Sequence, residues 1–240
     1  MTTADGWTQA VRERLGLGRL LPLGGARDGA WISEKAAEAV LRRAAEDMRE
    51  VRLGALRIGL TDPEDAQEAA VPPPPSALPP GPLRVTADFA ATAAEALPTT
   101  ADRLRGLLAG AAAEDLGLTV TEVDLRVTAL LDEDAEPAPV HRPEPTRAAE
   151  PANPDEERVA AAALAVPGVS QLTGALGGLN RAVHIEARQD EAALPRRHVR
   201  VEIAVRADRR AVEVAREVRE WVGESLADRP TVAVLITAVG

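Results

Sequence analysis

The stretch VDLRVTAL, residues 123–130, followed from residue 132 by DEDAEPAPVHRPEPTRAAEPANPDEE, decides how the chain is divided. Val123, Leu125 and Val127 alternate with Asp124, Arg126 and Thr128. That period of two predicts a strand with one face buried and one wet. The tract after it is acidic and broken by prolines, so it cannot bury enough apolar surface to pack. A regular strand that stops against a solvated tract marks the end of a folded unit.

The same octapeptide has a counterpart at the other end of the chain. VAVLITAV, residues 232–239, shares Val, Thr and Ala at matched positions. An amphipathic helix precedes each copy: Leu104, Leu107, Leu108 and Ala111 form one stripe, and Ala211, Val214, Ala215, Val218 and Val222 the other. Thr99 or Thr100 is the expected cap of the first helix and Asp208 of the second. Further back, LRVTADF (83–89) and HVRVEIAV (198–205) alternate cleanly, preceded by strand candidates ALRIGL (55–60) and NRAVHIEA (180–187). Helices are expected before those, at 33–48 and at about 155–166, the second ending at Pro167 and Gly168.

The expectation is an α+β protein holding two copies of a helix-strand-strand-helix-strand module, each a small three-stranded sheet covered on one face by helices. Its boundaries are an N-terminal arm at 1–31, modules at 32–131 and 155–240, and a linker at 132–154. Residues 61–82, TDPEDAQEAAVPPPPSALPPGP, interrupt the first module between two strands, where a hairpin needs only about two to five residues. Their composition predicts a disordered insertion.

Charge follows the same division. The chain has 38 acids and 28 bases, but the insertion and residues 132–155 hold eleven of those acids and two of the bases. The remaining 27 acids and 26 bases nearly balance, so the net charge of −10 belongs to the tracts. With no cysteine there is neither a disulfide nor a thiolate metal site. Trp7, Trp31, Trp221 and Phe89 are the only aromatic residues, few for stacking bases or sugars. No apolar run reaches the roughly 18–20 residues of a membrane span, and residues 1–16 lack a signal-peptide core, so a cytoplasmic location is the default.

In the second unit an alanine-rich helix ends in Val166-Pro167-Gly168-Val169 with Leu172 beyond, and Val214, Ala215, Val218 and Val222 mark the later helix. This pattern resembles the alkaline shock protein family of bacterial envelope-stress proteins, in its actinobacterial form. The first unit lacks the Pro-Gly-Val turn. Family members commonly carry Thr-Gly-Leu before the last strand; Leu116-Gly117-Leu118 approximates it, and 227–230 depart from it. The resemblance implies a divergent tandem member that is non-enzymatic, cytoplasmic and self-associating, and is held at the inner face of the membrane by an integral anchor protein. It brings no catalytic residues and no cofactor.

The residues themselves offer little chemistry. His141 lies in the linker, and His184 and His198 fall on the wet sides of strands without a carboxylate cluster to complete a metal site. Glu46/Asp47 and Glu114/Asp115 are neighbours on helices and point apart. The alternative class is a KH-like single-stranded nucleic-acid-binding protein, suggested by the element order and by Gly174-Ala175-Leu176-Gly177. Arg196, Arg197 and Arg200 would be its basic strip, although Glu186, Asp190, Glu191 and Glu202 interleave with the arginines and no base flanks the glycines. The strongest partner-binding candidate is the N-terminal arm, where Trp7, Val11 and Leu15 share a helical stripe and Leu20 and Leu21 follow.

Overall fold

The computed structural model describes residues 17–132, 145–176, 180–188 and 196–240. They form an α+β protein with four helices and two sheets. In the smaller sheet β3 (Val51–Leu60) runs antiparallel to β4 (Leu83–Thr92), and β4 runs parallel to β5 (Val120–Leu131). The alternation in β4 puts Leu83, Val85, Ala87, Phe89 and Ala91 wholly inside. The β4–β5 crossover is α2 (Leu97–Ala111), extended by one π-helical turn, Ala112–Leu116. Leu104 and Leu108 of its stripe are buried.

The larger sheet has the order β1-β2-β9-β8-β6, with β7 following β6 along the same edge of β8. Here β6 (Val169–Leu172) and β7 (Val183–Arg188) are antiparallel to β8 (Arg196–Val205), which is parallel to β9 (Thr231–Val239). The antiparallel-then-parallel pattern of the smaller sheet thus recurs. Two helices accompany these strands, α3 (Pro154–Ala165) and α4 (Ala211–Ser225). Asn153 caps α3 by accepting from the N–H groups of Asp155 and Glu156, while Glu156 reaches back to the N–H of Ala152. The chain leaves α3 through Gly168 at φ 104°, where a Cβ would lie 2.8 Å from Val214 Cγ2. The other two helices start differently from expectation: α2 begins at Leu97 with Pro98 in its first turn, and α4 begins after Arg210, neither with a side-chain cap.

The arm is the largest departure from the sequence reading. Leu20–Leu23 (β1) and Ala30–Ser33 (β2) form a hairpin, and β2 adds to the larger sheet parallel to β9, pairing Trp31 with Leu235. A boundary at residue 31 would cut through a strand. From β2 the chain passes directly into α1 (Glu34–Ala45), which contacts β9 of one sheet and β3 of the other. Each sheet keeps a pair of helices, α1 and α2 on the smaller and α3 and α4 on the larger, but α1 also packs on β9, and the two sheets share one continuous apolar core. The end of α2 docks on α4 through Gly117, at φ 86°, where a Cβ would collide with the Val212 side chain.

Ser33 and Glu34 make the junction. Ser33 Oγ accepts from the Ala36 N–H and donates to the Thr237 carbonyl. The buried Glu34 carboxylate accepts from the Ile58 N–H at 3.0 Å and from the Arg19 backbone and guanidinium. A carboxylate in the first helical turn also faces the positive end of the helix dipole.

The insertion is not a free loop. Ala69, Val71 and Ala77 lie over the outer face of the larger sheet, where Val71 packs with Leu20, Trp31, Ala233 and Leu235 in a second apolar cluster. The Trp31 indole N–H donates to the Leu78 carbonyl, and the Leu78 N–H to that of Leu20. Prolines remove donors but leave carbonyls, so such a segment can still be tied down by other residues' N–H groups.

Replacing Trp31 by alanine should lower the unfolding free energy in a urea titration by about 3–5 kcal/mol, against about 1 kcal/mol or less for the half-exposed Trp221. Glu34→Ala leaves the Ile58 N–H without its acceptor and should cost about 1–3 kcal/mol in the same titration.

Candidate interaction surface

The outer face of the larger sheet gathers most of the buried polar side chains. Thr173 and Thr237 hydroxyls meet at 2.7 Å, and Thr237 adjoins Ser33 through its carbonyl. Beside them Glu202, on β8, is fully buried, although its sequence context reads as mixed surface charge. One carboxylate oxygen accepts from the N–H groups of Ala175 and Leu176 at 2.7 and 3.0 Å, and His184 Nε2 stands 3.8 Å from the other. His184 Nε2 is also 3.1 Å from the Arg181 carbonyl, to which it donates when that nitrogen carries the proton. Burial foremost, then Arg200, depresses the His184 pKa. This arrangement fixes the turn 173–176 onto the sheet: one carboxylate oxygen is spent on two backbone donors.

The arginines of the nucleic-acid reading are divided by strand parity. Arg196 and Arg200 lie on the outer face with His198 and Glu202, whereas Arg197 is on the other side of β8. Arg197 is engaged by Asp228 at 2.5 and 2.7 Å and by Asp155 at 2.5 Å, which raise its pKa further, Asp228 most. Arg200 pairs across the ladder with His184, and His198 with Glu186. The three arginines do not form one strip.

Leu20 and Leu21 are fully buried in β1 and offer nothing to a partner. Trp7, Val11, Leu15 and His141 lie outside the described residues. A trimmed chain keeping β1 must therefore start before Leu20.

Exposed apolar surface instead collects on β5, an end strand of the smaller sheet. Its outer face is polar: Glu122 and Asp124 pair with Arg84, and Arg126 with Asp88. On the face turned to the helices Val123 and Leu125 are partly covered, while Val127 is 41% and Leu130 63% exposed. Among the described residues no strand pairs with the other edge of β5. Leu164 and Trp221 add single exposed apolar side chains on α3 and α4. The sequence signal for this surface is that the quoted strand stays apolar up to the point where the solvated tract begins.

These features define an α+β protein with two unequal sheets, the smaller one open at an apolar edge. Models of protein families, curated proteins and solved structures yield no match to the chain. Among the described residues no helix is long and apolar enough to cross a membrane, and no group of three metal-ligating side chains occurs.

Two measurements examine these assignments. Labelled single-stranded RNA titrated at low salt should show no salt-dependent binding that Arg196→Ala and Arg200→Ala remove, while Arg197→Ala should lower the melting temperature by breaking its contacts with Asp155 and Asp228. The depressed pKa of His184 means that below about pH 6.5 the unfolded chain binds a proton that the folded chain refuses. Its contribution is therefore full above that pH and lost on acidification, and His184→Gln should flatten the fall in melting temperature between pH 7.5 and 5.

Proposed function

We propose that the protein is a non-enzymatic assembly or scaffold protein that works through protein contacts, and that it is built from two copies of one helix-strand-strand-helix-strand module. The observation that carries the contact reading is the open edge of β5 with Val127 and Leu130 exposed beside it. Soluble proteins cover or blunt such edges, because unpaired strand groups next to apolar side chains recruit other chains. The duplication is supported by the shared strand pairing, β3/β4/β5 in one sheet and β6–β7/β8/β9 in the other. A role in cell-envelope homeostasis, from the cytoplasmic side and through an integral anchor protein, rests on the resemblance of Val166–Val169 and of the α4 stripe to the alkaline shock family.

The test is affinity purification of the tagged full chain from its host, compared with the double variant Val127→Lys, Leu130→Lys. Wild type should recover specific proteins, an integral membrane protein among them, and the variant should recover several-fold less. Equal recovery from both would remove the β5 edge from the account.

A further inference from the structure

Read outward from Leu125, β5 is nearly the same in both directions. Its inward side chains are Val120, Val123, Leu125, Val127 and Leu130, spaced three, two, two and three residues apart. The wider steps arise because the register with β4 shifts twice, so that Thr121 and Thr128 are extra residues near the two ends. Those shifts keep Val120 opposite Leu83 and Leu130 opposite Ala91, both on the buried face of β4. On the other face Asp124 and Arg126 flank the centre with opposite charges.

We infer that β5 pairs with β5 of a second copy of this chain, antiparallel and centred on Leu125, joining the two smaller sheets across a twofold axis. This deepens the proposed scaffold function, on which it rests, by naming the partner and the register. Leu125 then faces its own mate, Val123 faces Val127, and Val120 faces Leu130, so the most exposed apolar side chains gain apolar neighbours. Asp124 faces Arg126 of the other copy, and twofold symmetry makes each contact twice. The backbone suits this phase. Arg105 Nε donates to the Val123 carbonyl at 3.1 Å, marking it as an acceptor turned to the open edge. By strand alternation Leu125 and Val127 present their polar groups on the same side. On pairing, the second copy's Val127 N–H takes the place of Arg105, which keeps its ion pair with Asp102. A ribbon of this length is small beside a standard interface of roughly 800 Å² per partner, so the dimer should dissociate on dilution through about the micromolar range.

The experiment is sedimentation velocity of the full chain across a dilution series. Asp124→Arg and Arg126→Asp each place like charges opposite one another twice and should weaken self-association at least tenfold. Mixed in equal amounts, the two variants restore both opposite-charge pairs and should associate as the wild type does. Circular dichroism melts establish that each variant folds. In this cysteine-free chain, Leu125→Cys should also give an interchain disulfide or bismaleimide cross-link, and Trp221→Cys should not. A wild-type chain that stays monomeric at high concentration overturns the inference, as does a dimer indifferent to both charge reversals. The second result leaves the scaffold reading standing, since a different surface then mediates assembly. Loss of host partners from β5 variants of a monomeric chain would likewise show that another protein occupies the edge.

Discussion

The junction at Ser33 and Glu34 is the constraint on which the two sheets depend. Within two residues the chain stops being the last residue of β2 and becomes the first turn of α1. Ser33 is fixed to β9 of the larger sheet through the Thr237 carbonyl, and Glu34 to β3 of the smaller one through the Ile58 N–H. A buried carboxylate is tolerable only where donors surround it, and here they come from Arg19 before the hairpin and from the strand after the helix. Shifting α1 along its axis would leave that charge unpaired, so α1 holds one position between the sheets. Everything that packs on α1, including the apolar core common to both sheets, inherits that position.

The parts of the fold legible in the sequence are those where one face of a strand is polar, whether water or other polar groups cover it. LRVTADF and HVRVEIAV alternate because β4 and β8 each have a polar side, and the helix stripes are equally plain. The hairpin was not legible, because LLPL and AWIS are buried on both faces and carry no alternation. A four-residue strand between glycines reads as a broken loop. The insertion was misread for a related reason. Its prolines signal a segment without regular hydrogen bonding, which is correct, but Val71, with Ala69 and Ala77, supplies enough apolar surface to cover Trp31 and Leu20. What made that cover necessary, an indole on the outer face of a sheet, becomes visible only once β2 is known to be a strand.

At the level of side chains the same limits apply. Parity alone separates Arg197 from Arg196 and Arg200, so the division of the arginine strip could have been read from the strand. The burial of Glu202 could not. It depends on a turn more than 25 residues earlier in the chain folding back to offer two N–H groups. Nor does composition distinguish a histidine on a wet strand face from His184, whose surroundings depress its pKa.

The treatment of sheet edges separates β5 from the rest. The outer edge of β1 is met by the insertion, with a bridge from Leu20 to Ala77 and a hydrogen bond from the Leu78 N–H. The edge of β6 is met by residues 146–148 through the Ala148 N–H and the Thr146 carbonyl, and β7 beyond it is only six residues long. On β3 the register shifts at Gly54, and the Arg42 guanidinium donates to the carbonyls of Leu53 and Gly54. Strand β5 spans twelve residues and, among the described residues, carries one such cover, Arg105 on Val123. Arginine caps are reversible, since an exposed guanidinium loses little by returning to water or to a neighbouring carboxylate. A twofold pairing would use up this edge in both copies at once, and the two strands would end at Leu131 on opposite ends of the ribbon. Such a contact closes on itself, so any growth of the assembly beyond a pair would have to use surfaces other than β5.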